Sequence, residues 1–399
     1  MSKKDAKQQE QTTPHYYIGL MCGTSIDGVD VALVDFSGDQ CRLVASYLHP
    51  IDNDIKANLR SLCSLSSQEN HLQHFEHRIE LLGELDQKMG AVFADSVNCF
   101  FEQHQESEVP SIQKDQIIAI GSHGQTIRHQ PALNSPFTIQ IGDPNVIAYQ
   151  TGITTVSDFR RMDIAVGGQG APLAPAFHNA VMRTQKENRI ILNLGGIANI
   201  SLLPKDLSKE VIGFDTGTAN TLLDVWFLHN HPEADCDFDK DSQFALQGKV
   251  QNSLLKQLLK DPYFELPPPK STGREYFSIE WLWQQLNATE EKYEPADIQR
   301  TLLEFTAITI SDSIQRLDLD GYKVFTCGGG THNNFLIERI QTHVGAPVLA
   351  TDSIGISGDY LEAMTFAWLA RQRIMKQPGN LPSVTGASEA KVLGAVYHP

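Results

Sequence analysis

The chain has 399 residues, 41% hydrophobic and 20% charged, a composition that suits a globular protein of two or three domains and excludes a disordered or fibrous one. Its formal net charge of −16, from 32 basic and 48 acidic side chains, repels phosphate backbones and argues against general nucleic-acid binding. An anionic small molecule stays compatible with that charge if backbone N–H groups, a metal ion or a few local cations hold it. No window approaches the roughly 20 consecutive apolar residues of a spanning helix. Met1 to His15 is polar, lacks a secretory core and reads as a frayed tail. Cys22, Cys41, Cys63, Cys99, Cys236 and Cys327 are scattered, with neither a C-x-x-C pair nor metal spacing. That is the thiol usage of a reducing compartment, and together these features indicate the cytoplasm.

Strand-like sequence begins at Tyr16. Tyr17 to Cys22 is short and apolar and runs into a glycine turn; Val29, Val31 and Leu33 then alternate with their neighbours. Cys41 to Leu48 follows a turn at Ser37-Gly38-Asp39-Gln40, so three antiparallel strands are predicted. From His71 to Phe101, Leu72, Phe75, Ile79, Leu82, Leu85, Met89, Val92 and Phe93 form one core-facing helical stripe. Ile117–Ile120 and Phe137–Ile141 read as short strands, Ser157 to Pro172 as loop, and Pro175–Met182 as helix. The polar run Thr184-Gln185-Lys186-Glu187-Asn188 suggests a boundary, dividing a domain of residues 16–187 from one of residues 188–399.

After that boundary the opening pattern returns. Ile190–Leu194 meets Gly195-Gly196, then Asn199–Leu203, a turn at Pro204-Lys205-Asp206, and Val211–Asp215, which suggests a duplicated domain. Pro267-Pro268-Pro269 reads as a rigid spacer, and Trp281 and Trp283 as core. Helices are predicted over 302–317, 334–343 and 361–374, with strands at 323–327 and 347–349 and a terminal helix or strand within 390–396. Such alternation indicates an α/β protein with mixed sheets.

Six segments carry chemistry-prone residues. Gly23 and Gly28 flank Thr24, Ser25 and Asp27 between two strands, where backbone N–H groups and hydroxyls can approach phosphate. Asp27 or Asp30 there suggests Mg²⁺ or its water shell; a plain hairpin turn is the structural alternative. Gly195-Gly196-Ile197-Ala198-Asn199 occupies the equivalent place in the repeat, so the two turns would clamp one polyphosphate. Asp215, at a strand end before Gly217 and a helix over 221–227, either accepts a proton or caps that helix. Gly328-Gly329-Gly330-Thr331-His332-Asn333 is a strand–glycine–helix turn suited to a nucleotide, though weak as a dinucleotide fingerprint. His123, in Ser122-His123-Gly124-Gln125-Thr126, is either a substrate contact or a loop histidine. The Asp158, Arg160, Arg161, Asp163 cluster binds a polar ligand or forms a surface ion-pair network. Neither G-x-x-x-x-G-K-[ST] nor G-x-S-x-G occurs, which removes a P-loop and weakens a hydrolase reading.

In their order, Gly23–Asp30, Ser122–Thr126, Asp158–Asp163 with Gly168–Leu173, Asn193–Asn199, Asp215-Thr216-Gly217 and Cys327–Gly330 closely resemble the anhydro-N-acetylmuramic acid kinase family. The match runs from about Tyr17 to Arg373. The resemblance implies two actin-like (ribonuclease H-like) domains around a central ATP cleft, the last residues returning to the first domain, and a homodimer without nucleic-acid or membrane partners. It implies ATP and Mg²⁺ as cofactors and 1,6-anhydro-N-acetylmuramic acid as substrate, in peptidoglycan recycling. By carry-over, Asp215 is the general base and Glu362 a second catalytic group near the sugar. Gly23, Thr24, Ser25, Asp27, Gly28, Val29, Asp30, Gly195, Gly196, Asn199, Gly328, Gly329, Gly330 and Asn333 face ATP, with Asp27 and Asp30 on the metal. His123, Arg160, Asp163, Gly217 and Asn220 face the sugar. The family reads Asp-Thr-Gly-Pro-Gly-Asn where this chain has Asp215-Thr216-Gly217-Thr218-Ala219-Asn220, so Ala219 is expected to alter the loop if a positive φ is needed there. An actin-like kinase for another sugar, a nucleotide-gated ATPase and an NAD-binding dehydrogenase at Gly328–Gly330 are the competing readings.

Overall fold

The computed structural model describes residues 15–23, 25–38, 41–63, 73–104, 112–289 and 291–399. The expected tail up to residue 14, Thr24 of the first glycine turn, Asp39 and Gln40 of the next turn, and Leu72 of the helical stripe lie outside the described residues. The chain divides into two compact units. One holds the described residues of Met1–Val166 with Glu362–Gly379 and Lys391–Pro399, the other Gly167–Leu361 with Asn380–Ala390. The division thus precedes the boundary read at residues 187 and 188. The cause is the helix Ala174–Met182, whose buried His178 shares a hydrogen bond of 3.0 Å with Ser201 on a strand of the second unit's sheet.

In the first unit, β1 (Tyr16–Met21), β2 (Gly28–Asp35) and β3 (Arg42–Pro50) form the expected antiparallel meander. Beyond β1 lie β4 (Ile117–Ser122), parallel to β1, and β7 (Thr155–Ser157), parallel to β4, while β5 (Gln125–Gln130) and β6 (Phe137–Ile141) make a separate hairpin. The helix Gln73–His104 buries Leu85, Met89, Phe93, Val97 and Phe100 in this unit's core with Ile18, Leu20, Val29 and Val31. In the second unit, β8 (Asn188–Leu194), β9 (Ile197–Leu203) and β10 (Ile212–Thr218) repeat the meander, and β11 (Tyr322–Cys327) and β12 (Val348–Ala350) run parallel to β8. The orders β3-β2-β1-β4-β7 and β10-β9-β8-β11-β12 are the same, each parallel step requiring a crossover segment. The fold is therefore α/β with mixed sheets and an internal duplication.

The terminal strand β13 (Ala395–Tyr397) pairs antiparallel with β7, which settles the helix-or-strand alternative for that stretch. Trp281 is core, but Trp283 is 39% exposed and only meets the edges of Trp226 and His229, so it is not the core residue expected. Among the described residues no helix is long and apolar enough to cross a membrane.

Two glycines control how the helix Leu361–Ile374 seats on the first sheet. A Cβ at Gly19 on β1 would overlap the carbonyl of Ala363, and one at Gly121 on β4 the carbonyl of Phe366. The helix backbone therefore lies directly on both strands, and its first turn carries Glu362.

The second unit contains a buried ion cluster. Glu304 accepts hydrogen bonds from Arg339 (2.9 and 2.8 Å), Arg300 (3.0 Å) and His343 (2.6 Å). Burial pushes its pKa up, but the Arg339 and His343 hydrogen bonds outweigh that and hold it at about 2. A carboxyl lowered by folding stabilises the protein above its unfolded pKa and loses that contribution as pH falls towards the folded value. Urea denaturation should therefore show wild-type stability falling between about pH 4.5 and pH 2, with Glu304→Gln less stable at pH 7 and flatter across that window. Parallel pH profiles for the two proteins would count against this network.

Candidate functional site

Within each unit several of the singled-out residues lie where strands end, the position at which α/β sheets leave loops free for ligands. In the first unit β1 ends at the Gly23 turn. Ile26 N donates to Gly23 O at 3.1 Å, with Ile26 at φ +60° and its side chain buried. Ser25 is half-buried, Asp27 exposed and Asp30 half-buried at the start of β2. Burial, then the Asp30 and Asp27 carboxylates, push the Cys22 thiol up to about 12, so both acids act on one point beside the turn. Gly23 has open space where a side chain would stand, with only Ser25 Oγ near, as close approach to a ligand requires. Gly28 has none, because a Cβ would meet His49 O and Leu48 Cδ1 at 2.7 Å. Its glycine is thus explained by β2–β3 pairing. Val29 is fully buried in the core, leaving only its backbone for a ligand.

β4 ends beside β1, and His123 N donates to Leu20 O at 3.1 Å. The His123 ring is buried against Phe366, and its Nε2 accepts from Arg160 Nε (3.1 Å) and Nη2 (2.8 Å). Desolvation and then the Arg160 charge hold His123 well below its ordinary pKa, so the imidazole is neutral at pH 7. Arg160 is itself lowered to about 10 by burial, against the opposing pull of Glu362 and Asp163. His123, Arg160, Asp163 and Glu362 thus form one electrostatic group, with Asp163 fully buried and Glu362 exposed. The rest of the expected cluster separates from it. Asp158 pairs with Arg161 at 3.5 Å on the surface, where such a pair contributes at most about 1 kcal/mol.

The second unit assembles three more segments. The Gly195-Gly196 turn between β8 and β9 has its carbonyls held by the start of the helix Thr221–Asn230. Gly195 O accepts from Asn220 N (3.1 Å) and Nδ2 (2.9 Å), and Gly196 O from Ala219 N, Thr221 N and Thr221 Oγ1 at 2.9, 3.1 and 2.8 Å. No hydrogen bond uses the N–H of Gly195 or Gly196 among the described residues. With carbonyls turned in and donors left over, the turn is suited to an anion. Gly328, at φ +80°, and Gly330 pack against this turn: a Cβ would meet Asn193 Oδ1 at 2.5 Å in one case and Leu194 Cβ at 2.7 Å in the other. Gly329 is exposed with nothing near it. Asn333 is a helix cap, its Oδ1 accepting from Leu336 N (3.0 Å) and Ser242 Oγ (2.8 Å). Asn220 likewise directs its amide at the carbonyls of Leu194 and Gly195.

Asp215 stands on β10, in register with Asn199 on β9 and just before an irregularity at which Gly217 takes φ +142°. It does not cap the following helix. Its Oδ2 accepts from Thr272 N (2.9 Å) and Ser271 Oγ (2.8 Å), its N donates to Lys270 O, and its carbonyl accepts from Tyr263 Oη at 2.7 Å. Desolvation raises its pKa above the usual aspartate value, with the Thr272 and Ser271 bonds and Lys270 opposing. Ala219 is fully buried and is absent from the positive-φ residues, so it does not strain the loop; Gly217 alone takes that role.

The loop Lys270-Ser271-Thr272-Gly273-Arg274 is the part that sequence reasoning missed. Its hydroxyls, glycine and two cations directly follow the triple proline, a composition suited to phosphate that was hidden behind the spacer.

Two sheets of one topology, with glycine turns at strand ends and a desolvated carboxylate on one of them, suit an enzyme of the sugar-kinase class. The chain belongs to the anhydro-N-acetylmuramic acid kinase family, whose model matches residues 15–399. The anhydro-N-acetylmuramic acid kinase of Coxiella burnetii (strain Dugway 5J108-111) is 49% identical over 96% of this chain and 97% of its own. The enzymes of that name from Xylella fastidiosa and from Vibrio vulnificus (strain YJ016) are 48% and 46% identical, covering 96% and 97% of this chain and 96% and 99% of theirs.

Proposed function

We propose that the chain converts 1,6-anhydro-N-acetylmuramic acid, ATP and water to N-acetylmuramic acid 6-phosphate and ADP. The observation that carries this reading is Asp215, a carboxylate with a raised pKa whose Oδ2 is held by two donors. Its Oδ1 has no partner among the described residues and is free to take a proton from water. The water oxygen bonds to the anomeric carbon, the bond from that carbon to O6 breaks, and O6 attacks the γ-phosphorus as the bond to the ADP oxygen breaks. Phosphoryl transfer then needs mostly positioning and neutralised charge.

His123, Arg160, Asp163 and Glu362 bind the sugar in this reading. Arg160 supplies the fixed cation, neutral His123 orients it, and Glu362 is the second catalytic group, near the sugar. Gly217 and Asn220 act through the Asp215 loop and the glycine turn. Gly195 and Gly196 in the second unit, and the Gly23–Asp30 turn in the first, each offer backbone donors to ATP phosphates, and Gly328–Gly330 offers its backbone to the nucleotide, with open space at Gly329. Asp27 and Asp30 offer the hard oxygen donors that Mg²⁺ takes, and the ion would neutralise phosphate charge there. The same reading takes the protein to act in the cytoplasm as a homodimer, on sugar released in peptidoglycan recycling.

The test is ADP release with and without the anhydro sugar, together with the mass of the sugar product. Sugar-dependent release and a product heavier by one phosphoryl group (HPO3) and one water are expected. ATP hydrolysis indifferent to the sugar, with no phosphosugar formed, would make the chain a nucleotide-gated ATPase instead.

A further inference from the structure

Arg274 lies against the second glycine turn. A Cβ at Gly196 would stand 2.8 Å from Arg274 Nε, 2.9 Å from Arg274 Nη2 and 2.8 Å from Thr221 Oγ1. The guanidinium therefore rests on the peptide whose neighbouring N–H groups have no partner. Arg274 is exposed and makes no ion pair or hydrogen bond among the described residues. The other cation of its loop is differently engaged: Lys270 Nζ donates to Tyr263 O at 3.2 Å and lies 4.5 Å over the Tyr263 ring. Thr272, two residues before Arg274, has a buried Oγ1 with no hydrogen-bond partner.

We propose that Arg274 is the side chain that binds the ATP phosphates at the Gly195-Gly196 turn, completing an anion site made of the turn's two N–H groups and the guanidinium. Arginine suits this place because its planar fork can bond two phosphate oxygens at once, which a lysine cannot. A purely structural arginine would be expected to hold a carboxylate or a carbonyl, and this one holds neither. The same loop fixes Asp215 through Thr272 N and Ser271 Oγ. Phosphate binding at Arg274 therefore orders the segment that positions the base, and Arg274 ties nucleotide occupancy to base alignment. The inference rests on the kinase reading above and adds the phosphate ligand to it.

The test is calorimetric binding of ATP, a non-hydrolysable ATP analogue and adenosine to wild type, Arg274→Ala and Arg274→Lys, with thermal melting of each. We expect unchanged melting, a loss of affinity for ATP and its analogue of about 10–100-fold in Arg274→Ala, as for a lost charge-assisted pair, and unchanged adenosine binding. Arg274→Lys should recover only part of that loss, and KM for ATP should rise far more than KM for the sugar. If wild type binds ATP and forms phosphosugar while Arg274→Ala binds ATP equally well, the Arg274 proposal falls and the kinase reading stands. Equal weakening of adenosine and ATP would also overturn it, since the defect would not lie with phosphate. If wild type binds no ATP and forms no phosphosugar, both fall.

Discussion

Asp215→Asn should fold, bind ATP and lose turnover by about 10²–10⁴-fold, the range expected when a general base is removed. Asparagine keeps the shape and still presents an oxygen to Thr272 N and Ser271 Oγ, so the loop 270–274 should remain in place. It cannot accept the proton of the attacking water. In wild type, the raised pKa predicts that kcat/KM falls on the acid side at a pH above the ordinary aspartate range, because only the ionised form acts. The variant's residual rate should lack that limb.

Stability should move the other way. Folding raises the pKa of this group, so the folded state prefers its protonated form, and above both pKa values the ionised carboxylate opposes folding. At neutral pH Asp215→Asn should therefore melt at the wild-type temperature or above it, a trade common at active sites. Near-normal turnover in a folded Asp215→Asn would move the base to another residue.

Gly121→Ala, like a methyl at Gly19, should be strongly destabilising to the first unit. The added carbon would overlap the Phe366 carbonyl, which belongs to helix backbone and cannot rotate away as a side chain could. Overpacking of this kind costs about 1–3 kcal/mol, and here it also lifts the helix whose first turn carries Glu362. Lower stability in urea and a raised KM for the sugar are expected together. Gly83→Ala is the matching control. Gly83 is exposed inside the helix Gln73–His104 with nothing near its added methyl, so the change should stabilise by about 0.5–1 kcal/mol. Equal effects at the two positions would mean that the helix does not depend on contact at Gly121.

Much of the architecture was legible because it follows local pattern. The two meanders follow from apolar runs broken by glycine turns, and the helix Leu361–Ile374 matches the helix read from its sequence at both ends. Loop-rich sequence was less readable. Residues 157–172 hide the last residue of β7 and the short helix Arg161–Ala165, elements too short for periodicity to reveal. The boundary was misplaced because a polar run marks exposure, whereas membership of a unit depends on which sheet the preceding helix covers.

For the site, the residue types were visible in sequence but their tasks were not. Gly23 and Gly28 look equivalent as letters, yet one borders open space and the other lets β3 approach. Asn333 and Asn220 read as ligand contacts, and each also holds backbone groups. Ala219 was expected to matter for its φ, a property that neighbouring Gly217 carries instead. The sequence by itself determined the duplicated α/β plan and the order of the glycine turns, since these depend on periodicity and on which residues tolerate tight turns. Only the tertiary structure decided that His123, Arg160, Asp163 and Glu362 share one field, and that a loop 55 residues beyond Asp215 steadies it while placing Arg274 on Gly196. Those relations depend on desolvation and on contacts between segments far apart in the chain, which no local pattern encodes.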